Sequence, residues 1–256
     1  MNLNEVNEKL SDVFGTPFSD ILEFEKIIKK NDYKNLLELG FAHGKSSVFF
    51  ATILKENSNE TDKGHLTTID LRSAKNRKPN IEELLSAFDL NDYVTVYHER
   101  ISYNWRLMKL IQENKEPIFD FVYIDGAHDW YNDGFAFFLV DKLLKPGGAI
   151  IFDDYNWNYS TSVSLKNTDF VKNMDEDEKT IPQIKLVFDL LVKSHPNYEN
   201  CHLINNDTAV AYKKSKIQER KLKNLKNLKS DYSFLIESAK RTIFLDLNAV
   251  ISSLRF

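Results

Sequence analysis

Two hydrophobic patterns alternate along this chain. Short, almost wholly apolar runs read as buried strands, and stretches with apolar residues every three or four positions read as amphipathic helices. Residues 1–14 have helical spacing, and "GTPFSD" is a turn in which Ser19 is placed to cap a helix over Ile21–Lys30. "KNLLEL" is the first strand, followed by a helix over Ser46–Leu54, a strand at "HLTTID" and helical spacing in "NIEELLSAFDL". "YVTVYH" is a third strand and Trp105–Asn114 a helix; "FDFVYID" is a fourth strand and Trp130–Leu144 a helix. "KPGG" stops that helix, and "AIIFDD" is a fifth strand.

Strands separated by helices predict parallel pairing in a doubly wound α/β sheet. Apolar residues at nearly every strand position fit burial on both faces. The rhythm changes after residue 154. Residues 158–180 are polar and irregular and read as a loop beside a site, a lid that orders on binding. Ile184–Lys193 is helical, and "CHLINNDTAVAYK" reads as a hairpin turning at Asn206–Asp207, so the sheet ends in an antiparallel pair. These residues form one domain, 1–213. Residues 214–256 are a helical extension, first basic ("KSKIQERKLKNLKNLK") and then amphipathic, expected to pack on the domain or on a second copy as a homo-oligomer.

Composition narrows the function classes. The formal net charge is −4, which disfavours a nucleic-acid partner. No N-P-P-Y or D-P-P-Y motif of a nucleic-acid-modifying enzyme is present. The one cysteine, Cys201, excludes an internal disulfide framework and a cysteine-based zinc site, and suits a reducing cytoplasm. The amino terminus has no basic segment leading into an apolar one, and no apolar run approaches the ~18 residues of a membrane span. A cytoplasmic protein without a transmembrane segment is expected.

"NLLELGFAHGKSS" (35–47) carries the first candidate chemistry. A strand, a glycine turn and a helix start bring backbone N–H groups close to a ligand. The dinucleotide fingerprint is G-x-G-x-x-G, but Ala42 stands where its middle glycine would be. Glu38, just before the turn, would repel a pyrophosphate and suit a cation. Asp70, the acid ending the next strand, lies beyond the spacing of about 20 residues expected of a dinucleotide ribose acid, yet suits ribose hydroxyls. A ligand with a positive centre, a ribose and no phosphate fits, and S-adenosylmethionine (SAM) has all three properties.

"YIDGAHDW" and "IIFDDYNW" carry the second. If the strands they end are neighbours, their ends lie about 4.8 Å apart, and Asp125 faces Asp153 and Asp154. Converging carboxylates repel unless a cation lies between them. Oxygen ligands suit Mg²⁺, with Mn²⁺ a substitute. His128, three residues after Asp125, is a candidate base, and Trp130, Tyr155 and Trp157 flank the expected cation. Taken singly, each acid also fits a structural role such as a helix cap.

The E-x-G-x-x-x-G run at Glu38–Gly44 resembles motif I of the class I SAM-dependent methyltransferases. D-G-x-H at Asp125–His128, K-P-G-G at Lys145–Gly148 and the strand ending in Asp153–Asp154 resemble the macrocin-type, metal-dependent sugar O-methyltransferases, with catechol O-methyltransferase a more distant relative. The resemblance covers roughly residues 30–213. It implies a Rossmann-like, mostly parallel seven-stranded sheet. It further implies that Gly40, Phe41, Gly44 and Ser46 line the methionine part of SAM, with Glu38 at its amino group. Asp70 and Leu71 would take the ribose, and Glu99, Ile101 and Ser102 would edge the adenine, with Asp125 also close to the donor. Asp125, Asp153 and Asp154 would hold the metal, and His128 would act as base beside the catalytic Asp125. Many such relatives carry a helix acid where this chain has Ala136.

The expected reaction is methyl transfer from SAM to a sugar hydroxyl, on a nucleotide-linked sugar, surface polysaccharide or natural-product glycan. A catechol-like small molecule is the alternative acceptor. A non-catalytic SAM-binding subunit and a hydroxylase on the same fold are the rival readings.

Overall fold

The computed structural model describes residues 1–59 and 61–215. Helices α1 (Leu3–Lys9) and α2 (Phe18–Asn31) precede β1 (Asn35–Leu39). Then α3 (Lys45–Glu56), β2 (His65–Leu71), α4 (Ile81–Ala87), β3 (Val94–Glu99), α5 (Tyr103–Glu113), β4 (Phe119–Ile124), α6 (Trp130–Leu143) and β5 (Leu144–Phe152) alternate. Short helices α7 (Asp169–Lys172), α8 (Glu176–Thr180) and α9 (Gln183–Leu186) follow, the last continuing as a π turn over Val187–Val192. Strands β6 (Tyr198–Ile204) and β7 (Thr208–Lys213) close the sheet.

The seven-stranded order is β3-β2-β1-β4-β5-β7-β6, parallel from β3 through β5 and antiparallel at β7. This is a Rossmann-like, doubly wound sheet closed by an antiparallel hairpin. The chain runs outward through β2 and β3, then returns to start β4 on the other side of β1. That reversal opens a crevice beyond the carboxyl ends of β1 and β4, where ligands bind in open α/β sheets.

Strand alternation sends one set of side chains to each helical layer. Leu36, Leu66, Phe121, Tyr123, Ala149 and Ile151 pack with α1, α2, α3 and α4. Leu37, Leu39, Ile69, Val122, Ile124, Ile150 and Phe152 pack with α5, α6 and α9. Because both faces are covered, the strands carry apolar residues at nearly every position. Lys213, a charged residue buried at the end of β7, pairs with Asp141 at 3.2 Å and donates to the Leu144 carbonyl at 3.0 Å, so its charge is compensated.

Four local expectations need correction. Ser19 caps nothing: α2 opens at Phe18 after Pro17, where Phe18 docks on Phe49 at 5.5 Å, and the Ser19 hydroxyl turns to Asp20. Tertiary packing here overrides the capping signal. "KPGG" lies inside β5, as a register shift against β4, rather than ahead of it. Residues 158–180 hold the two short helices α7 and α8, each with a local cap. Helix α5 starts two residues before Trp105, at Tyr103, because Ser102 caps it. Among the described residues no helix is long and apolar enough to cross a membrane. The helical extension expected over 214–256 lies outside the described residues after Ser215.

Candidate functional site at the carboxyl edge of the sheet

Register assembles the site. Leu39 pairs with Ile69 on one side and Ile124 on the other, and Ile124 pairs with Phe152. The next residue on each strand is therefore Gly40, Asp70, Asp125 or Asp153, one row across four strands. The ladder continues through this row: Gly40 donates to the Ile69 carbonyl at 2.8 Å, Asp125 to Leu39 at 2.8 Å and Asp153 to Ile124 at 3.0 Å. Two motifs separated by some 85 positions in sequence thus meet about one strand spacing apart.

Gly40 shows how tight the meeting is. Its φ is +82°, and a Cβ there would come within 2.0 Å of the Asp125 carbonyl. Gly44, φ +98°, opens α3 without a side-chain cap, so the first N–H groups of that helix stay available to a ligand carboxylate. Ala42 (φ 48°), His128 (φ 56°) and Asp154 (φ 56°) also adopt the left-handed conformation. Non-glycine residues held this way cost on the order of 1 kcal/mol or more each and concentrate at functional sites.

Several residues expected to meet the methyl donor turn elsewhere. Glu38 is fully buried. It accepts from Ser46 at 2.5 Å, from Thr68 at 2.6 Å and from Ser47. Burial pushes its carboxyl up to about 7 against the pull of those hydroxyls. Its oxygens brace the glycine turn through these three hydroxyls. Ser46 likewise points down to Glu38, while Phe41 packs its ring against His98 at 5.5 Å. Asp70 stays at the cleft. One of its oxygens accepts from the Phe41 and Ala42 N–H groups (3.0 and 2.9 Å) and the other from Leu71 N–H (2.5 Å), so one lone pair is left for a hydroxyl. Leu71 is partly exposed beside it.

At the third strand, Glu99 is buried and its Oε1 is paired with Arg106 of α5 at 2.7 Å. Ile101 is exposed, and Ser102 caps α5 by accepting from Asn104 N–H at 3.2 Å.

The acidic half gathers as follows. Asp125, His128 and Asp154 each place a ligand atom within 4.8 Å of the others. His128 Nδ1 lies 3.2 Å from Asp154 Oδ2, and Nε2 lies 3.9 Å from Asp125 Oδ1. Asp153 lies outside that cluster, adjacent to it. Its two oxygens accept from Tyr123 at 2.5 Å and Thr208 at 3.1 Å. Burial first, then repulsion from Asp153 and Asp154, raises the Asp125 carboxyl well above its ordinary value. Burial and Asp153 push Asp154 up to about 7. Burial also raises Asp153. No lysine or arginine pairs with any of the three among the described residues; His128 is their one basic neighbour. Half-buried carboxylates crowded together without a compensating positive charge are costly, so this donor set fits a hard divalent cation.

Of the three flanking aromatics, Trp157 stays at the site, 5.3 Å from the His128 ring. Tyr155 is buried and donates to Asp189 at 3.0 Å, and Trp130 packs in the α5–α6 layer. Trp157 leads to Tyr159 at 4.8 Å and on to Phe170 at 5.9 Å, an aromatic file running outward.

The pattern alone misses the supports of the Asp125–His128 turn. Ala136 is buried in the helix, but α6 brings another acid, Asp133, one turn earlier. Asp133 is buried and accepts from the Tyr103 hydroxyl, whose ring covers Gly126. On the opposite side the Tyr159 hydroxyl reaches the Ala127 carbonyl at 3.4 Å. A groove of about 410 Å³ between α2 and the β6–β7 hairpin contains none of these residues.

Residues 37–155 match a family model described as a methyltransferase domain. The fold is similar to that of a candidate caffeoyl-CoA O-methyltransferase from Staphylococcus aureus: 20% identity, TM-score 0.57, covering 83% of this chain and 93% of that one. It is also similar to TomG, the Streptomyces achromogenes O-methyltransferase involved in tomaymycin synthesis, in complex with SAM: 14% identity, TM-score 0.54, covering 82% and 86%. An O-methyltransferase from Bacillus cereus in complex with S-adenosylhomocysteine (SAH) shares 20% identity at TM-score 0.50, over 82% and 97%. At these identities the likeness is one of fold. No curated protein matches the chain in sequence.

Proposed function

We propose that this protein is a SAM-dependent O-methyltransferase that presents a substrate with two adjacent oxygens at a divalent cation. The observation that carries the reading is the row joining the glycine turn and Asp70 to the uncompensated acids Asp125, Asp153 and Asp154. The uncapped start of α3 suits the donor's carboxylate, and the free lone pair of Asp70 suits its ribose. Asp125 and Asp154 are the ligands best placed for the cation, with Asp153 beside them. Mg²⁺ suits the oxygen set, and Mn²⁺ can substitute.

A cation bound there supplies Lewis-acid stabilisation of an acceptor oxygen as it loses its proton. Asp154 Oδ2 lies 3.2 Å from His128 Nδ1 and orients the ring, which leaves Nε2 to take a proton from the acceptor hydroxyl. Trp157, beside that ring, limits water access and gives a planar substrate a surface. The remaining contribution is alignment of acceptor oxygen and methyl group along one line.

A catechol-like aromatic diol is the first acceptor reading. The aromatic file Trp157–Tyr159–Phe170 supports it, as does the caffeoyl-CoA description of the Staphylococcus relative. A sugar diol is the second, supported by the D-G-x-H and D-D motifs. The test is mass spectrometry on catechols, caffeoyl esters, nucleotide sugars and small glycans incubated with SAM, with Mg²⁺ or with EDTA. A one-methyl gain that EDTA removes is expected, and the acceptor that gains it decides between the readings. Methylation indifferent to EDTA would remove the cation from the mechanism.

A further inference from the structure

Tyr123, in β4, precedes Asp125 just beyond the strand by two residues, and continued alternation turns both side chains to one face. Its ring is fully buried against Phe24 at 5.2 Å and Phe50 at 5.6 Å, which fixes where its hydroxyl sits. That hydroxyl lies 2.5 Å from Asp153 Oδ2, 3.0 Å from Thr16 Oγ1 and 3.3 Å from Asp125 Oδ2.

A phenol has one proton to give. The shortest contact assigns it to Asp153. Thr16, itself buried, then donates to the phenol oxygen and keeps the proton pointed at Asp153. Thr208 donates to the other Asp153 oxygen at 3.1 Å. Asp153 is thus clamped by two hydroxyls from flanking strands, while Asp125 is left with the longer contact. The arrangement sorts two neighbouring acids, one restrained and one free to turn toward a ligand.

We propose that Tyr123 is a positioning residue whose hydroxyl, oriented by Thr16, holds Asp153 against Asp125 and so sets the geometry of the cation site. The inference rests on the cation reading above. Tyr123 is enclosed in the protein interior and acts through the acids. Hydrogen bonds of this outer kind typically carry 10–100-fold in metal affinity. Thr16 lies in the turn before α2, so the same contact ties the amino-terminal turn to the site.

The test measures Mn²⁺ affinity of the full chain from the electron paramagnetic resonance signal of the free ion. SAH affinity by calorimetry and the melting temperature are recorded on the same samples. Tyr123→Phe removes one oxygen and keeps the ring; its Mn²⁺ Kd is expected to rise about tenfold or more, with SAH affinity within about twofold. Thr16→Val is expected to shift Mn²⁺ affinity in the same direction by about threefold. Wild-type Mn²⁺ affinity in Tyr123→Phe would overturn the proposal. So would equal losses of Mn²⁺ and SAH affinity with a lowered Tm, which would mark a general packing role. If Tyr123→Phe does not fold, unchanged Mn²⁺ affinity in Thr16→Val overturns it instead. Failure of the wild-type chain to bind Mn²⁺ would overturn the cation reading itself, and this proposal with it.

Discussion

Acids on the two sides of the same sheet edge are treated in opposite ways. Glu38, at the glycine turn, receives three hydroxyl donors from Ser46, Ser47 and Thr68. Across the crevice, Asp125 and Asp154 are short of donors. Asp154 has the His128 ring, and Asp125 has only the long contact to Tyr123. Burial is the leading cause of the raised carboxyls in both places; repulsion from a neighbouring acid adds to it for Asp125 and Asp154, whereas hydroxyl donors oppose it for Glu38. A buried acid that the chain supplies with donors is part of the scaffold. Crowded, half-buried acids left short of donors and positive charge mark a place where something else completes the structure.

The sharpest way to break that contrast is to remove an acid on the unfinished side. Asp154→Ala is expected to lower kcat/KM by about 10³ or more, because several kcal/mol of charge stabilisation at the acceptor oxygen go with it. SAH affinity should be retained, since the donor side is untouched. Loss of SAH binding as well would move Asp154 into the donor site, and near-normal turnover would end its role as a ligand. His128→Ala comes next, with kcat expected to fall by about 10², the usual scale for a lost general base. A rate near wild type would take the imidazole out of the proton path and leave it as packing for Trp157.

These contrasts were only partly legible in the chain. Apolar periodicity locates the parallel strands because burial on both faces leaves little choice of residue, and the acids at strand ends follow from counting to the end of each apolar run. Which way a side chain turns depends on partners the pattern does not show. Glu99 reads as a free acid after a strand, yet Arg106 on the next helix claims it at 2.7 Å. Tyr155 reads as a site aromatic, but Asp189, 34 positions later, draws its hydroxyl away. Tyr123 was hidden by the opposite error. A tyrosine inside "FDFVYI" reads as core, which its ring is, and the hydroxyl matters only once Asp153 is known to be on the neighbouring strand. The i, i+2 relation between Tyr123 and Asp125 was the one available signal. Asp133 was overlooked because its partner, Tyr103, comes from another helix.

The finished side of the contrast makes the smallest prediction, one about stability. Folding raises the Glu38 carboxyl from an ordinary 4.5 to about 7. The folded state therefore holds a proton that the unfolded chain releases between those values. Where the native state binds more protons, stability falls as pH rises. Glu38's contribution is fully present below about pH 4.5 and is lost as pH climbs through about 7, on the order of 3 kcal/mol in all. Glu38→Gln keeps the shape and cannot ionise, and the three hydroxyls can turn to donate or accept. Urea titrations from pH 5 to 8 should show the wild type losing stability relative to Glu38→Gln across that window. Parallel curves would mean that Ser46, Ser47 and Thr68 keep the carboxylate charged throughout, and the glycine turn would then rest on an anion and not on a shared proton.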